Sequence, residues 1–132
     1  MIGVDIVYLP RFKRALVGTN KDKLLSRIFS DYELSQCATK SEDLKIQSFA
    51  GRFAVKEAVI KASKGELNIS DLKVIEVQQS SSGYLEVFVA RENVTCAVYD
   101  VSISHDGDYV IGIAMKAERR ARKVNKTLRH KE

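Results

Sequence analysis

The sequence contains one proline, no tryptophan, two cysteines and seven glycines in 132 residues. So little proline leaves no low-complexity linker, and no internal repeat is present. Cys37 and Cys96 lie far apart, form no C-x-x-C pair and have no histidine at zinc-finger spacing, which excludes a zinc module. Both are read as reduced, buried small hydrophobes, as a reducing cytoplasm allows. No run of about 18 apolar residues occurs, so no membrane span is expected. The start, Met1-Ile2-Gly3-Val4-Asp5, lacks the basic segment and apolar stretch of a secretory signal. What is present is 45% apolar and 30% charged, the balance of one soluble globular domain. A domain this small buries a modest core, so forming an oligomer is a natural way to cover more apolar surface.

The net charge of +5 is unevenly placed. Residues 116–132 hold eight Lys or Arg against Glu118 and Glu132, a sum of +6, so residues 1–115 sum to −1. The basicity belongs to the tail. A second cluster lies early, with Arg11, Lys13, Arg14, Lys21, Lys23 and Arg27 against the single acid Asp22. Clustered charge of this kind speeds capture of an acidic partner.

Residues 2–7 alternate Ile2, Val4, Ile6 with Gly3, Asp5, Val7, a strand period that puts Asp5 on the face opposite the three aliphatics. Pro10 ends that strand or starts the first helix. Helices are expected over 10–17 and 21–28, and Ser30 with Glu33 three residues later reads as a capping box. The strongest helical signal covers 42–64, where Phe49, Phe53, Glu57 and Lys61 recur at four-residue steps and Gly65 is the stop. From about residue 72 the period shortens, and strands are expected over 72–78, 84–90, 94–104 and 109–115, with a hairpin turn at Asp106-Gly107. Helices and strands are segregated, so the fold class is α+β: an antiparallel sheet packed against one long helix and shorter N-terminal helices.

Three residues depart from core logic: Asp5 inside an apolar strand, Glu57 in line with Phe49 and Phe53, and His105 at the mouth of the hairpin. Singly, each has an ordinary reading. Asp5 could face solvent from an edge strand, Glu57 and Lys61 could be a solvated i,i+4 pair, and His105 could be a turn residue. Together they suggest more. Two carboxylates supply hard oxygen ligands of the kind magnesium takes alongside substrate phosphates and water. Arg52, Lys56, Lys61 and His105 suit phosphate oxygens, and the set fits a diphosphate substrate.

At this point the sequence resembles a family. Gly3-Val4-Asp5-Ile6 is similar to the opening G-x-D-I of bacterial holo-acyl-carrier-protein synthases. Arg27-Ile28-Phe29-Ser30-x-x-Glu33-Leu34 resembles their R-x-F/L-T-x-x-E-L segment. Arg52-Phe53-Ala54-Val55-Lys56-Glu57-Ala58-x-x-Lys61-Ala62 resembles their R-F-A-x-K-E-A-x-x-K-A helix, and Val101-Ser102-Ile103-Ser104-His105 their V-S-I-S-H strand. The four agree in order and spacing across residues 1–117, which the resemblance marks as the catalytic domain, with 118–132 a basic C-terminal tail.

The resemblance implies a short, trimeric 4'-phosphopantetheinyl transferase. It would move phosphopantetheine from coenzyme A to a serine of an apo acyl carrier protein, for fatty-acid synthesis, and release 3',5'-ADP. Coenzyme A would lie between neighbouring protomers. Asp5 and Glu57 would hold magnesium and, with Lys61, act in catalysis. Lys61, His105, Arg52 and Ser104 would contact coenzyme A, with Lys56 supporting the site. Glu57 is the candidate to take the serine proton. Arg11, Lys13 and Arg14 would dock the acidic helix of the carrier. Two motifs differ from the family: Ser63-Lys64-Gly65-Glu66 replaces its Gly-Thr-Gly-like turn, and Gly83-Tyr84-Leu85 its G-K-P. Two alternatives stand beside this reading. One is a catalytically silent member acting as an assembly subunit. The other is nucleic-acid binding by the tail, which is disfavoured because no RNP, KH or zinc signature occurs and the tail has no aromatics for base stacking.

Overall fold

A computed structural model describes residues 1–91, 94–96 and 99–117. The chain runs β1 (Ile2–Tyr8), α1 (Leu9–Ala15), α2 (Lys21–Ile28), α3 (Asp31–Ala38), α4 (Glu42–Ala62), a 3-10 turn (Ile69–Val74), β2 (Ile75–Gln79), β3 (Leu85–Arg91), β4 (Val94–Cys96), β5 (Tyr99–Asp106) and β6 (Tyr109–Lys116). The α+β expectation holds. The strands form two antiparallel three-stranded sheets, β1-β6-β5 and β2-β3-β4. The strand expected over 94–104 is therefore two strands in different sheets, β4 pairing with β3 and β5 with β6. The first three residues expected in β2 instead lie in the 3-10 turn, capped by the reciprocal bonds of Asn68 and Asp71.

Local chemistry sets the N-terminal half. Pro10 opens α1, where its missing N–H costs nothing. Ser30 and Glu33 form the expected capping box: Ser30 N–H donates to Glu33 Oε1 at 2.9 Å, and Glu33 N–H donates to Ser30 Oγ at 3.2 Å. Helix α4 ends at Ala62, and the chain leaves through Lys64 and Gly65, both at positive φ.

Helix α4 is buried between the two sheets and the shorter helices. Ala50 and Ala54 pack on Val7 and Val110. Val55, Val59 and Ala62 pack on Ile75, Val77 and Val87 of the second sheet. Phe49 meets Phe29 with ring centroids 4.7 Å apart, and Phe53 meets Phe12 of α1 at 5.8 Å. The helix face read at four-residue steps is thus core at Phe49 and Phe53 and emerges at Glu57 and Lys61.

The sheet faces are unequal. Gly3, Asp5 and Val7 face α4, whereas Ile2, Val4 and Ile6 lie on the open face at 63%, 53% and 59% exposure. On β6 their register partners Met115, Ile113 and Ile111 are exposed too. Asp5 does not face solvent from its edge strand; its side chain is 19% exposed. Cys37 is fully buried and free, as expected. The expectations for the Cys96 side chain and for residues 118–132 lie outside what the structure describes. Among the described residues, no helix is long and apolar enough to cross a membrane.

Candidate functional site

The close approach of α4 to β1 creates the first cluster. A Cβ on Gly3 would lie 2.0 Å from the Ala58 carbonyl oxygen, so only glycine lets the helix sit this deep. Asp5, two residues along the same strand face, then meets the helix at Glu57 and Lys61. Lys61 Nζ donates to the Val4 carbonyl at 2.9 Å and reaches Asp5 Oδ1 at 3.4 Å. Glu57 is half-buried, and its pKa is raised above the ordinary glutamate value, first by burial and then by the Asp5 charge, with Lys61 pulling it back down. The three catalytic residues expected from the sequence therefore share one cluster. Among the described residues, no three or more His, Cys, Asp or Glu side chains gather as a metal site. Two mutually repelling carboxylates fit a hard cation that completes its shell from substrate oxygens and water.

A second cluster lies across the same sheet. A cleft of about 480 Å³ is lined by Lys40, Gln47, Arg52, Tyr84, Ser102 and His105 among others, and none of its lining residues is acidic. Gly51 opens it, since a Cβ there would press on Ile103 of β5 at 3.1 Å. Arg52 is 8% exposed; its Nη1 donates to Ser48 Oγ, while the buried Nε has no partner. A buried donor without an acceptor costs about 1–3 kcal/mol. His105 Nδ1 lies 3.4 Å from the Gln47 amide nitrogen.

The two clusters occupy opposite edges of the sheet, because β6 separates β1 from β5. Asp5, Glu57 and Lys61 come together; Arg52 and His105 come together; the sets stand apart. Ser104 is exposed on the sheet's open face, in register with Ile111, and does not line the cleft.

Lys56 is corrected by its position. It is fully buried, and its ammonium donates to Glu33 Oε1 at 2.6 Å, the Leu72 carbonyl at 2.8 Å and the Ile75 carbonyl at 2.6 Å. All three donors are used, so it offers none to a ligand. Glu33 is equally buried and also accepts from Val77 N–H at 3.0 Å. Burial raises the Glu33 pKa and lowers that of Lys56, each partly restored by the other. Arg11, Lys13 and Arg14 are all exposed on α1, which follows directly on the strand of Asp5.

Sequence reasoning missed Lys40 and Gln47 as cleft residues and met Tyr84 only within the Gly83-Tyr84-Leu85 segment that departs from the family's G-K-P. They come from the α3–α4 junction, α4 and the β2–β3 loop, and no spacing rule links them.

Comparison with known proteins bears on family and fold. The family model of the 4'-phosphopantetheinyl transferase superfamily matches residues 1–114. A holo-[acyl-carrier-protein] synthase of Aquifex aeolicus is 38% identical over 119 residues, covering 86% of this chain and 95% of its own. One from Wolbachia pipientis is 35% identical over 109 residues, covering 82% and 85%. The crystal structure of the Helicobacter pylori holo-[acyl-carrier-protein] synthase in complex with coenzyme A superposes with a TM-score of 0.72 at 29% identity, covering 89% of this chain and all of that one. By family model, sequence and fold together, the chain belongs to the holo-[acyl-carrier-protein] synthases of the 4'-phosphopantetheinyl transferase superfamily.

Proposed function

We propose that this chain transfers 4'-phosphopantetheine from coenzyme A to a serine of an apo acyl carrier protein, with magnesium, as a cytoplasmic step in fatty-acid synthesis. The observation that carries the reading is the Asp5–Glu57–Lys61 cluster: a half-buried Glu57 whose pKa is raised first by burial and then by the Asp5 charge, beside a lysine that reaches Asp5 Oδ1 at 3.4 Å. The activity belongs to residues 1–117, with 118–132 an accessory basic tail.

Asp5 and Glu57 are the residues that would hold magnesium. When bound, the ion supplies neutralisation of the charge that develops on the diphosphate oxygens. The serine oxygen attacks the phosphorus bearing pantetheine, a P–O bond forms, and the P–O bond to 3',5'-ADP breaks. Lys61 stabilises charge on the departing phosphate oxygens. Glu57 is the residue that accepts the serine proton. Arg52 and His105 bind coenzyme A phosphates from the cleft. Arg11, Lys13 and Arg14 draw in the acidic face of the carrier at the end of β1.

The two half-sites on opposite sheet edges support a homotrimer, in which the carboxylate cluster of one protomer meets the cleft of the next. The exposed apolar row of Ile2, Val4, Ile6, Ile111, Ile113 and Met115 is the surface such an assembly would cover.

The test is incubation with apo acyl carrier protein, coenzyme A and magnesium, followed by mass measurement of the carrier, with a chelator control. A gain of one phosphopantetheine that chelator abolishes is expected. No gain across several carriers, with the protein folded, would overturn the reading in favour of a silent assembly subunit.

A further inference from the structure

Tyr84 is 74% exposed, a large aromatic ring set at the rim of the cleft that contains Arg52. Its backbone is pinned on both sides. Ser80 N–H donates to the Tyr84 carbonyl at 2.7 Å, and Tyr84 N–H donates to Ser80 Oγ at 3.1 Å. Gly83 N–H closes the loop on the Ser80 carbonyl at 2.9 Å, at a φ of +89° that favours glycine. These bonds hold the backbone that carries the ring at the cleft's rim. Within the cleft lie three basic side chains, Lys40, Arg52 and His105, with no acid among the lining residues, and the buried Arg52 Nε has no acceptor. The cleft therefore combines a basic lining free of acids with an aromatic ring at its mouth.

We infer that Tyr84 is a specificity-determining residue of this cleft, its ring stacking on the purine of a nucleotide whose phosphates meet Arg52, Lys40 and His105. The inference rests on the coenzyme A reading above and deepens it. Coenzyme A carries an adenine joined through ribose to phosphates, so one molecule satisfies both ends of the cleft. Base stacking on an aromatic side chain is tolerant of the base and needs the ring, not the hydroxyl. Tyr84 stands where the sequence departs from its family's G-K-P, so this contact belongs to this chain.

The experiment is calorimetric titration of the full chain with 3',5'-ADP and, separately, with ribose bisphosphate lacking the purine, using the parent, Tyr84→Ala and Tyr84→Phe. Tyr84→Ala should weaken 3',5'-ADP roughly tenfold and leave ribose bisphosphate unchanged, while Tyr84→Phe keeps the parent affinity. Equal binding of 3',5'-ADP by the parent and Tyr84→Ala would remove the stacking role and leave the coenzyme A reading intact. An equal loss of both ligands in Tyr84→Ala would also overturn it, because the residue would then be supporting the cleft as a whole. Failure of the parent to bind 3',5'-ADP at all would overturn both readings together.

Discussion

Gly3 on β1 and Ala58 on α4 are in such close contact that a Cβ on the glycine would fall 2.0 Å from the alanine carbonyl oxygen. The neighbouring atoms are backbone, so nothing flexible can yield. Gly112 on β6 makes the same kind of contact, 2.6 Å from the Ala54 carbonyl carbon and 2.7 Å from Val55 N. These glycines set the depth at which α4 lies on the sheet, and that depth brings Glu57 to Asp5. Gly3→Ala and Gly112→Ala should each destabilise the fold by about 1–3 kcal/mol and lower transfer activity by displacing the helix. Gly18→Ala has nothing within 4 Å of its new Cβ and should change stability by less than about 0.5 kcal/mol. Urea denaturation of the three variants checks the ranking.

The raised pKa of Glu57 carries a stability consequence with a defined sign. Its folded-state pKa lies above the ordinary value of 4.5, first because of burial. Ionisation of this group therefore disfavours the fold, and its contribution is best below pH 4.5 and declines as pH rises through the folded-state pKa. Glu57→Gln carries no such penalty. In chelator at pH 7 it should melt at or above the parent, with the difference vanishing below pH 4.5. Added magnesium should stabilise the parent and not the variant. Transfer should fall by at least about 100-fold in the variant. Thermal melts with and without magnesium, beside a transfer assay, measure both effects.

Much of this arrangement is legible in residue spacing, and the remainder fails for identifiable reasons. The Ser30–Glu33 cap, the Pro10 helix start and the 42–62 helix follow from interactions within four residues, which a sequence displays directly. Alternation in β1 puts Asp5 opposite Ile2, Val4 and Ile6, but no period says which face a helix will cover. The 94–104 segment reads as one strand because the partner strand that claims each half is set by long-range pairing. Lys56 and Lys61 sit five residues apart on one helix and look equivalent as cations. The first points into the core toward Glu33, and the second emerges beside Asp5. The Glu33 signal is absorbed by its capping role, so its ion pair with a residue 23 positions away leaves no local trace.

That buried ion pair yields a test of its own. Lys56→Met leaves the Glu33 carboxyl buried without its cation, and removal of one partner of a buried pair costs about 3–5 kcal/mol. Without Lys56 the Glu33 pKa loses the influence that held it down and rises further. The deficit should therefore be largest above the raised folded-state pKa of Glu33 and shrink as pH falls through it toward the ordinary glutamate value of 4.5. Adding Glu33→Gln to Lys56→Met removes both charges together, so the double variant should be destabilised by less than the sum of the single changes. Denaturation at pH 7 and pH 4.5 gives the coupling and its pH dependence. A deficit independent of pH would mean that lost packing, not the charge, is responsible.

The separation of the carboxylate cluster from the cleft makes a stronger demand. If a working site joins β1 and α4 of one protomer to the β5-side cleft of its neighbour, Glu57→Gln and Arg52→Ala damage different halves. Each alone should be nearly inactive. Mixed after reversible dissociation, the two variants should form mixed assemblies in which some interfaces pair an intact Glu57 with an intact Arg52, and activity should return to a sizeable fraction of the parent. Ile113→Glu on the open apolar face, in register with Val4 of β1, should break the assembly to monomers, as read by light scattering, and abolish transfer with both half-sites unchanged in sequence. Recovery on mixing together with loss on dissociation requires a shared site. A monomeric Ile113→Glu protein with full activity would place the whole site within one chain, and the separation across the sheet would then have to close by movement of that chain alone.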